Sequence, residues 1–83
     1  MTTEELKNIT ANLVVDARGT ACPGPLLAAK KAIGEIESGE IMEVLSADEG
    51  TKHDIPRWCT KMSHEFLGFV DNDSYTRLFL KKS

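Results

Sequence analysis

Eighty-three residues make one domain too short for a deep substrate cleft, because a chain of this size buries only about 60 to 65% of the surface it exposes when unfolded. Chemistry on such a domain sits near the surface on a few residues, with a partner completing the site, which favours a carrier or adaptor over a self-contained enzyme. A net charge of −3 argues against direct nucleic-acid binding, since phosphate attraction would need a basic patch that is not evident.

Hydrophobic residues at 41% and charged ones at 28% fit an ordinary globular chain. No apolar run approaches the roughly 20 residues of a membrane span, and the polar stretch from Met1 to Asn8 lacks the apolar core of a signal peptide. The expected compartment is therefore the cytoplasm, with no membrane contact. Cys22 and Cys59 lie far apart, without CxxC or metal-type spacing, so in a reducing compartment they read as free thiols.

Residues 1–11 are polar and without period, and are expected to form a flexible leader ahead of a single domain spanning 12–83. Leu13, Val14 and Val15 form a short β-branched run ending at Asp16, with Arg18-Gly19-Thr20 as a turn, which predicts the first strand. From Pro25 to Glu37, Leu26, Ala29, Ile33 and Ile36 recur at steps of three and four, predicting a helix stopped by Ser38-Gly39. Ile41 to Ser46 is a second strand with imperfect alternation, and Asp48-Glu49-Gly50 a turn.

A second helix is expected to start between Thr51 and Asp54, with Pro56 tolerated only in its first turn. Ile55, Cys59 and Met62 share one face of it. Phe66 to Val70 and Thr76 to Leu80 read as two strands joined by the polar loop Asp71-Asn72-Asp73-Ser74. The order βαβαββ predicts an α+β fold: a two-layer α/β sandwich in which a four-stranded mixed sheet carries two helices on one face.

Cys22-Pro23-Gly24-Pro25 falls where the loop after the first strand meets the first helix, placing Cys22 at the N-cap and Pro23 at N1. A helix start leaves four backbone N–H groups without partners, but Pro23 and Pro25 have none to offer. Gly24 N–H is then the donor within reach of the sulfur. That donor and the positive helix end favour a thiolate, lowering the cysteine pKa from about 8.5 toward ~7 or below. Arg18 can add to this, and Gly24 leaves the sulfur open to a second protein. An exposed, partly ionised cysteine suits attack on a persulfide sulfur; the alternative is a proline-rich helix entry with an incidental cysteine that packs as a small hydrophobe.

These residues resemble the TusA family of sulfur carriers, also called SirA-like proteins, whose pattern is an Asp, two residues, Gly, two residues, then Cys-Pro-x-Pro. Asp16, Gly19, Cys22, Pro23 and Pro25 match it. The resemblance covers residues 13–82 and includes Asp54-Ile55-Pro56; Thr20 departs from it, standing where many members carry an apolar residue. It implies that Cys22 carries a persulfide, without metal or organic cofactor, between a donor of the cysteine desulfurase or rhodanese type and an acceptor protein. The acceptors implied are DsrE-like or heterodisulfide-reductase-like proteins, or a relay protein of transfer-RNA thiolation. Cys-Pro-Gly-Pro-Leu with the downstream Asp48 to Trp58 looks more like members tied to oxidation of reduced sulfur compounds than like relays for transfer-RNA thiolation or molybdenum cofactor synthesis.

Other residues admit two readings. Cys59 is a second sulfur-bearing or resolving thiol, or a core residue on the apolar face of its helix. Asp16 orients the turn by hydrogen bonds or tunes the thiol, and Gly19 is expected to supply a positive φ. His53 and His64 form no compact ligand set with either cysteine, so no metal is expected. Arg57 and Lys61, four apart, form a solvated face or steer an acidic partner; Lys30 and Lys31 serve electrostatics. Trp58 reads as core, while Phe69, Tyr75 and Phe79 depend on which sheet face is exposed.

Three functions follow. The first is a sulfurtransferase acting by thiol–persulfide exchange. A thiol–disulfide redox protein would need a resolving cysteine near Cys22, where Gly24 and Pro25 stand instead. A noncatalytic adaptor would dispense with Cys22 altogether.

Overall fold

The computed structural model of the protein describes residues 3–20 and 24–83. Its elements are α1 (Thr3–Lys7), β1 (Leu13–Asp16), α2 (Gly24–Ala32) running into a 3₁₀ turn at Ile33–Glu35, β2 (Ile41–Ser46), α3 (Thr51–Met62), β3 (Glu65–Asp71) and β4 (Thr76–Lys81). The strands form one sheet in the order β1-β2-β4-β3. β1 pairs parallel with β2, and β4 pairs antiparallel with both β2 and β3. This is the mixed four-stranded sheet read from the sequence, with α2 as the crossover between its parallel strands.

The core lies between the sheet and α2 with α3. Met42, Val44, Ile55, Leu78 and Leu80 are fully buried there, joined by Ala29, Trp58 and Cys59. Each large side chain removed from water stabilises the fold by roughly 1.5–3 kcal/mol. Trp58 is a core residue, as its position on α3 predicts.

Residues 1–11, expected as a loose leader, hold α1 instead. Leu6 is buried and packs with Val70 and Phe79 on the sheet face opposite the two long helices. Its seat is made by Gly68, which lies at a register shift in β3 with φ of +140°. A β-carbon there would come within 2.9 Å of Leu6 Cδ1. Phe79 therefore alternates outward from Leu78 and Leu80, yet is fully buried. Imperfect alternation in β2 has the same origin, since Glu43 on that outer face is held by Arg77 Nε at 2.8 Å.

Two helix boundaries differ from expectation. α2 gives way to the 3₁₀ turn after Ala32, and Ile36 is already extended, so Ser38-Gly39 reverses the chain rather than ending the helix; Gly39 takes φ of +88°. Pro56 sits in the second turn of α3, not the first, so the bond from residue 56 to the carbonyl of Lys52 is missing. The helix tolerates this because its entry is anchored separately. Asp48 Oδ1 accepts Gly50 N–H at 2.7 Å, and the Thr51 hydroxyl, expected as a candidate cap, pairs with Ser46 Oγ at 2.7 Å in the interior. Ser63, left-handed at φ of +64°, closes the helix as its neighbour His64 donates N–H to Cys59 O at 2.8 Å.

Candidate functional site

β1 delivers the chain to the Cys-Pro-Gly-Pro segment. Ala17 N–H donates to Leu45 O at 2.9 Å, extending the parallel pairing by one residue. Asp16 then turns the chain: its carboxylate accepts Arg18 N–H at 3.2 Å, Arg18 Nε at 2.9 Å and Arg18 Nη2 at 2.8 Å. The Arg18 hydrogen bonds hold the Asp16 pKa down at about 2. These bonds tie Asp16 into the turn.

Arg18 also stacks over the Tyr75 ring, 4.9 Å from its centroid. Its charge is matched by Asp16 two residues away. Gly19, expected to need a positive φ, does not adopt one, and a β-carbon there would meet nothing within 4 Å. The turn is set by Asp16 instead, through hydrogen bonds that any residue at position 19 permits.

Cys22 and Pro23, the expected N-cap and first helical residue, lie outside the described residues. The helix is described from Gly24, and Pro25 behind it is fully buried, seating the first turn in the core. Gly24 is close-packed against Thr20. A β-carbon on it would lie 2.8 Å from both Cβ and Oγ1 of Thr20, so the space left by the missing side chain is filled from within the chain. Thr20, read in the sequence as part of the turn and as a departure from the family pattern, is thus a neighbour of the motif.

Cys59 is 1% exposed, and burial pushes its thiol up to about 11. It is a core cysteine in this conformation. His64 packs edge-on against Trp58, with ring centroids 5.3 Å apart, and its Nδ1 lies 3.1 Å from Ser83 N–H, which donates to it. Among the described residues no group of three or more His, Cys, Asp or Glu is placed to hold a metal ion, and no helix is long and apolar enough to cross a membrane.

Between α2 and α3 runs an open trough of about 360 Å³, lined by Leu26, Lys30, Asp54, Arg57, Trp58 and Lys61. It continues past Lys30, Trp58 and Lys61 into a second hollow of about 330 Å³ ending at Met62 and His64. Lys30, Arg57 and Lys61 are exposed and outnumber the carboxylate of Asp54, so the trough is locally positive on an acidic protein. The exposed Leu27 and Met62 flank the same helices. Phe69 stays exposed at the β3 edge beneath Lys52, whereas Tyr75 is half-buried under Arg18.

The family model for the sulfurtransferase TusA matches residues 13–82. The chain belongs to the TusA family. A candidate sulfur carrier protein of Archaeoglobus fulgidus is 46% identical over 84% of this chain and 96% of its own length. YrkI of Bacillus subtilis, also a candidate sulfur carrier, is 39% identical over 83% of this chain and 92% of its own. The sulfur carrier protein TusA of Pseudomonas entomophila is 32% identical over 76% of this chain and 79% of its own. The crystal structure of a SirA-like protein from Desulfitobacterium hafniense superposes with a TM-score of 0.74 over 83% of this chain and 95% of its own, at 24% identity, and so shows the same fold. The role shown by family membership is that of a sulfur carrier in sulfur transfer between proteins. α1 precedes the matched residues and is an addition to the domain they define.

Proposed function

We propose that Cys22 is the sulfur-bearing residue of this carrier and acts by thiol–persulfide exchange. Its thiolate attacks the outer sulfur of a donor persulfide, forming Cys22–S–S⁻ as the donor's S–S bond breaks and its electron pair leaves on the donor thiolate. An acceptor thiolate then attacks the terminal sulfur and returns Cys22 to its starting state, with no net oxidation and no cofactor. The observation that carries this reading is the burial of Cys59. Of the two cysteines in the sequence, one is sealed in the core with its thiol held neutral, and the other stands in the Cys-Pro-x-Pro motif of the family.

Donor and acceptor dock on the positive trough. Its cations complement an acidic surface, and Leu26 and Trp58 offer an apolar floor to an inserted side chain. Leu26 belongs to the first turn of α2, so the trough opens beside the motif. The donor is of the cysteine desulfurase or rhodanese type, and the reaction takes place in the cytoplasm. The Cys-Pro-Gly-Pro-Leu form of the motif is what supports a role in oxidation of reduced sulfur compounds, with a heterodisulfide-reductase-like acceptor, over a transfer-RNA relay.

Intact mass after incubation with polysulfide tests the chemistry. Wild type and Cys59→Ser should gain about 32 Da or multiples, reversed by reductant, and Cys22→Ser should not. Equal loading of all three, or of none, would remove Cys22 from the mechanism and leave a docking adaptor.

A further inference from the structure

We propose that His64 is a proton-responsive latch at the far end of the trough: neutral, it holds Ser83; protonated, it releases that residue's N–H and adds a positive charge to the hollow beside Trp58. The second effect rests on the reading of the trough as a docking surface; the first does not.

Hydrogen bonds select the state of the ring. His64 Nδ1 accepts the Ser83 N–H at 3.1 Å, and the Ser83 hydroxyl lies 3.2 Å from the same atom. An imidazole nitrogen that accepts carries no proton, so the ring is neutral with its proton on Nε2. Protonation at Nδ1 sets donor against donor. The hydroxyl can turn to accept the new proton, but the backbone N–H cannot, and it loses its partner.

Ser83 reaches the ring on the continuation of β4, which is held along its length. Gly39 N–H donates to Lys82 O at 2.8 Å and Lys82 N–H to Glu40 O at 2.9 Å. The Lys82 ammonium donates to Ile36 O at 2.7 Å, and the Ser38 hydroxyl to Ser83 O at 2.9 Å. Lys82 is thus kept from swinging away when the ring becomes charged. Lys30 from α2 and Lys61 from α3 share the hollow with His64, and no carboxylate lines it; Asp54 lines only the other hollow. Burial and the Lys82 charge hold the His64 pKa below its ordinary 6.5. The latch is therefore closed at neutral pH and opens on acidification.

The remaining walls of the hollow are the apolar side chains of Ile33, Trp58 and Met62. A third cation beside Lys30 and Lys61, against walls of this kind, strengthens attraction to an acidic surface.

The test uses the chain's single tryptophan, which meets His64 edge-on at 5.3 Å between ring centroids; an imidazolium quenches a neighbouring indole. Trp58 fluorescence is followed from pH 8 to 5 in wild type, His64→Gln, His53→Gln and Ser83→Pro, with nitrogen NMR of the wild-type His64 ring at pH 8. The ring should be in its Nε2–H form. The fluorescence transition should vanish in His64→Gln and stay in place in His53→Gln. Ser83→Pro removes both donors to Nδ1, and should raise the midpoint by about 0.3 to 1 in pH. Binding of dextran sulfate, whose charge is constant over this range, should tighten by at least about threefold between pH 7.5 and about one pH unit below the midpoint, and His64→Gln should lose that gain.

A transition that survives His64→Gln, an Nδ1–H ring at pH 8, or a midpoint unmoved in Ser83→Pro would overturn the latch. An equal gain in dextran sulfate binding with and without His64, or no gain, would overturn its effect on the trough. No binding at either pH would count against the trough as a docking surface alone, because the ring form and the midpoints judge the latch without any partner.

Discussion

Under native conditions the two thiols should react on separate timescales. With its pKa at about 11, Cys59 is thiolate in roughly one molecule in a thousand at pH 8, against about a quarter for an ordinary cysteine near 8.5. Thiolate fraction alone slows its alkylation by about 200-fold, and its 1% exposure slows it further, toward the rate at which the core opens. A time course of intact mass with iodoacetamide at pH 8 should show one fast addition, absent in Cys22→Ser, and a second at least about 100-fold slower. In denaturant the two additions should merge. Native Cys22→Ser labelled as fast as the unfolded chain would refute the reasoning, because Cys59 would then be open to solvent and free to carry sulfur. A thiol raised in the fold from 9.0 to about 11 contributes stability that is complete below about 9 and is lost as pH rises toward 11.

Further outcomes can be checked by the same variants and standard melts. Gly68→Ala should destabilise by about 1–3 kcal/mol in urea, because φ of +140° strains any L side chain; removing the Leu6 contact with Leu6→Ala should not restore it, and full recovery would mean that the clash rather than the backbone is limiting. Asp16 has its pKa lowered to about 2 by Arg18, so its contribution is present above about 4 and lost as pH falls toward 2; Asp16→Asn should flatten the acid limb of stability against pH over that window. Thr51→Val removes the buried Ser46–Thr51 hydroxyl pair but leaves Ser46 Oγ its contacts with the Asp48 backbone, so it should cost about 0.5–1.5 kcal/mol by denaturant melt. Charge reversal of Lys30 with Arg57 should weaken binding of the sulfur donor while leaving polysulfide loading unchanged; a titration with no change in affinity would remove the trough from the interface.

The helix-facing half of the molecule was legible in the sequence because its burial is periodic. Leu78 and Leu80, Ile55 and Cys59, and Ala29 with Ile33 all carry the repeat of their element, so the two-layer sandwich and the burial of Trp58 and Cys59 could be read directly. The outer face was not. α1 has five residues and buries one leucine, too little for a period to emerge, and without it Phe79 looks like an exposed aromatic. Gly68 and Gly19 show the same limit from opposite sides: the positive φ belongs to the glycine that meets Leu6, not to the one in the turn. Pro56 was misplaced by one turn because the Asp48 and Ser46 contacts that hold the entry to α3 are invisible to local propensity.

At the motif, what sequence could not show is how its flanks are held. Thr20 packs against Gly24, a contact no periodicity reports. Arg18 reaches Tyr75, at the end of the β3–β4 loop, and Lys52 at the start of α3 reaches Asp71 at that loop's other end, 2.9 Å away. Asp71 in turn accepts the Thr76 hydroxyl at 2.8 Å. The hairpin is therefore fastened at one end to the segment that leads to Cys22 and at the other to the helix that forms one wall of the trough. These are exposed ion pairs and ring contacts, each individually weak, but they join the two parts of the surface on which a sulfur donor would act. A domain too small to enclose a site can still hold a trough in fixed relation to the strand that leads to the motif, provided that strand ends, hairpin and helix starts meet at one end of the sheet, as those of β1, β2, α2 and α3 do here.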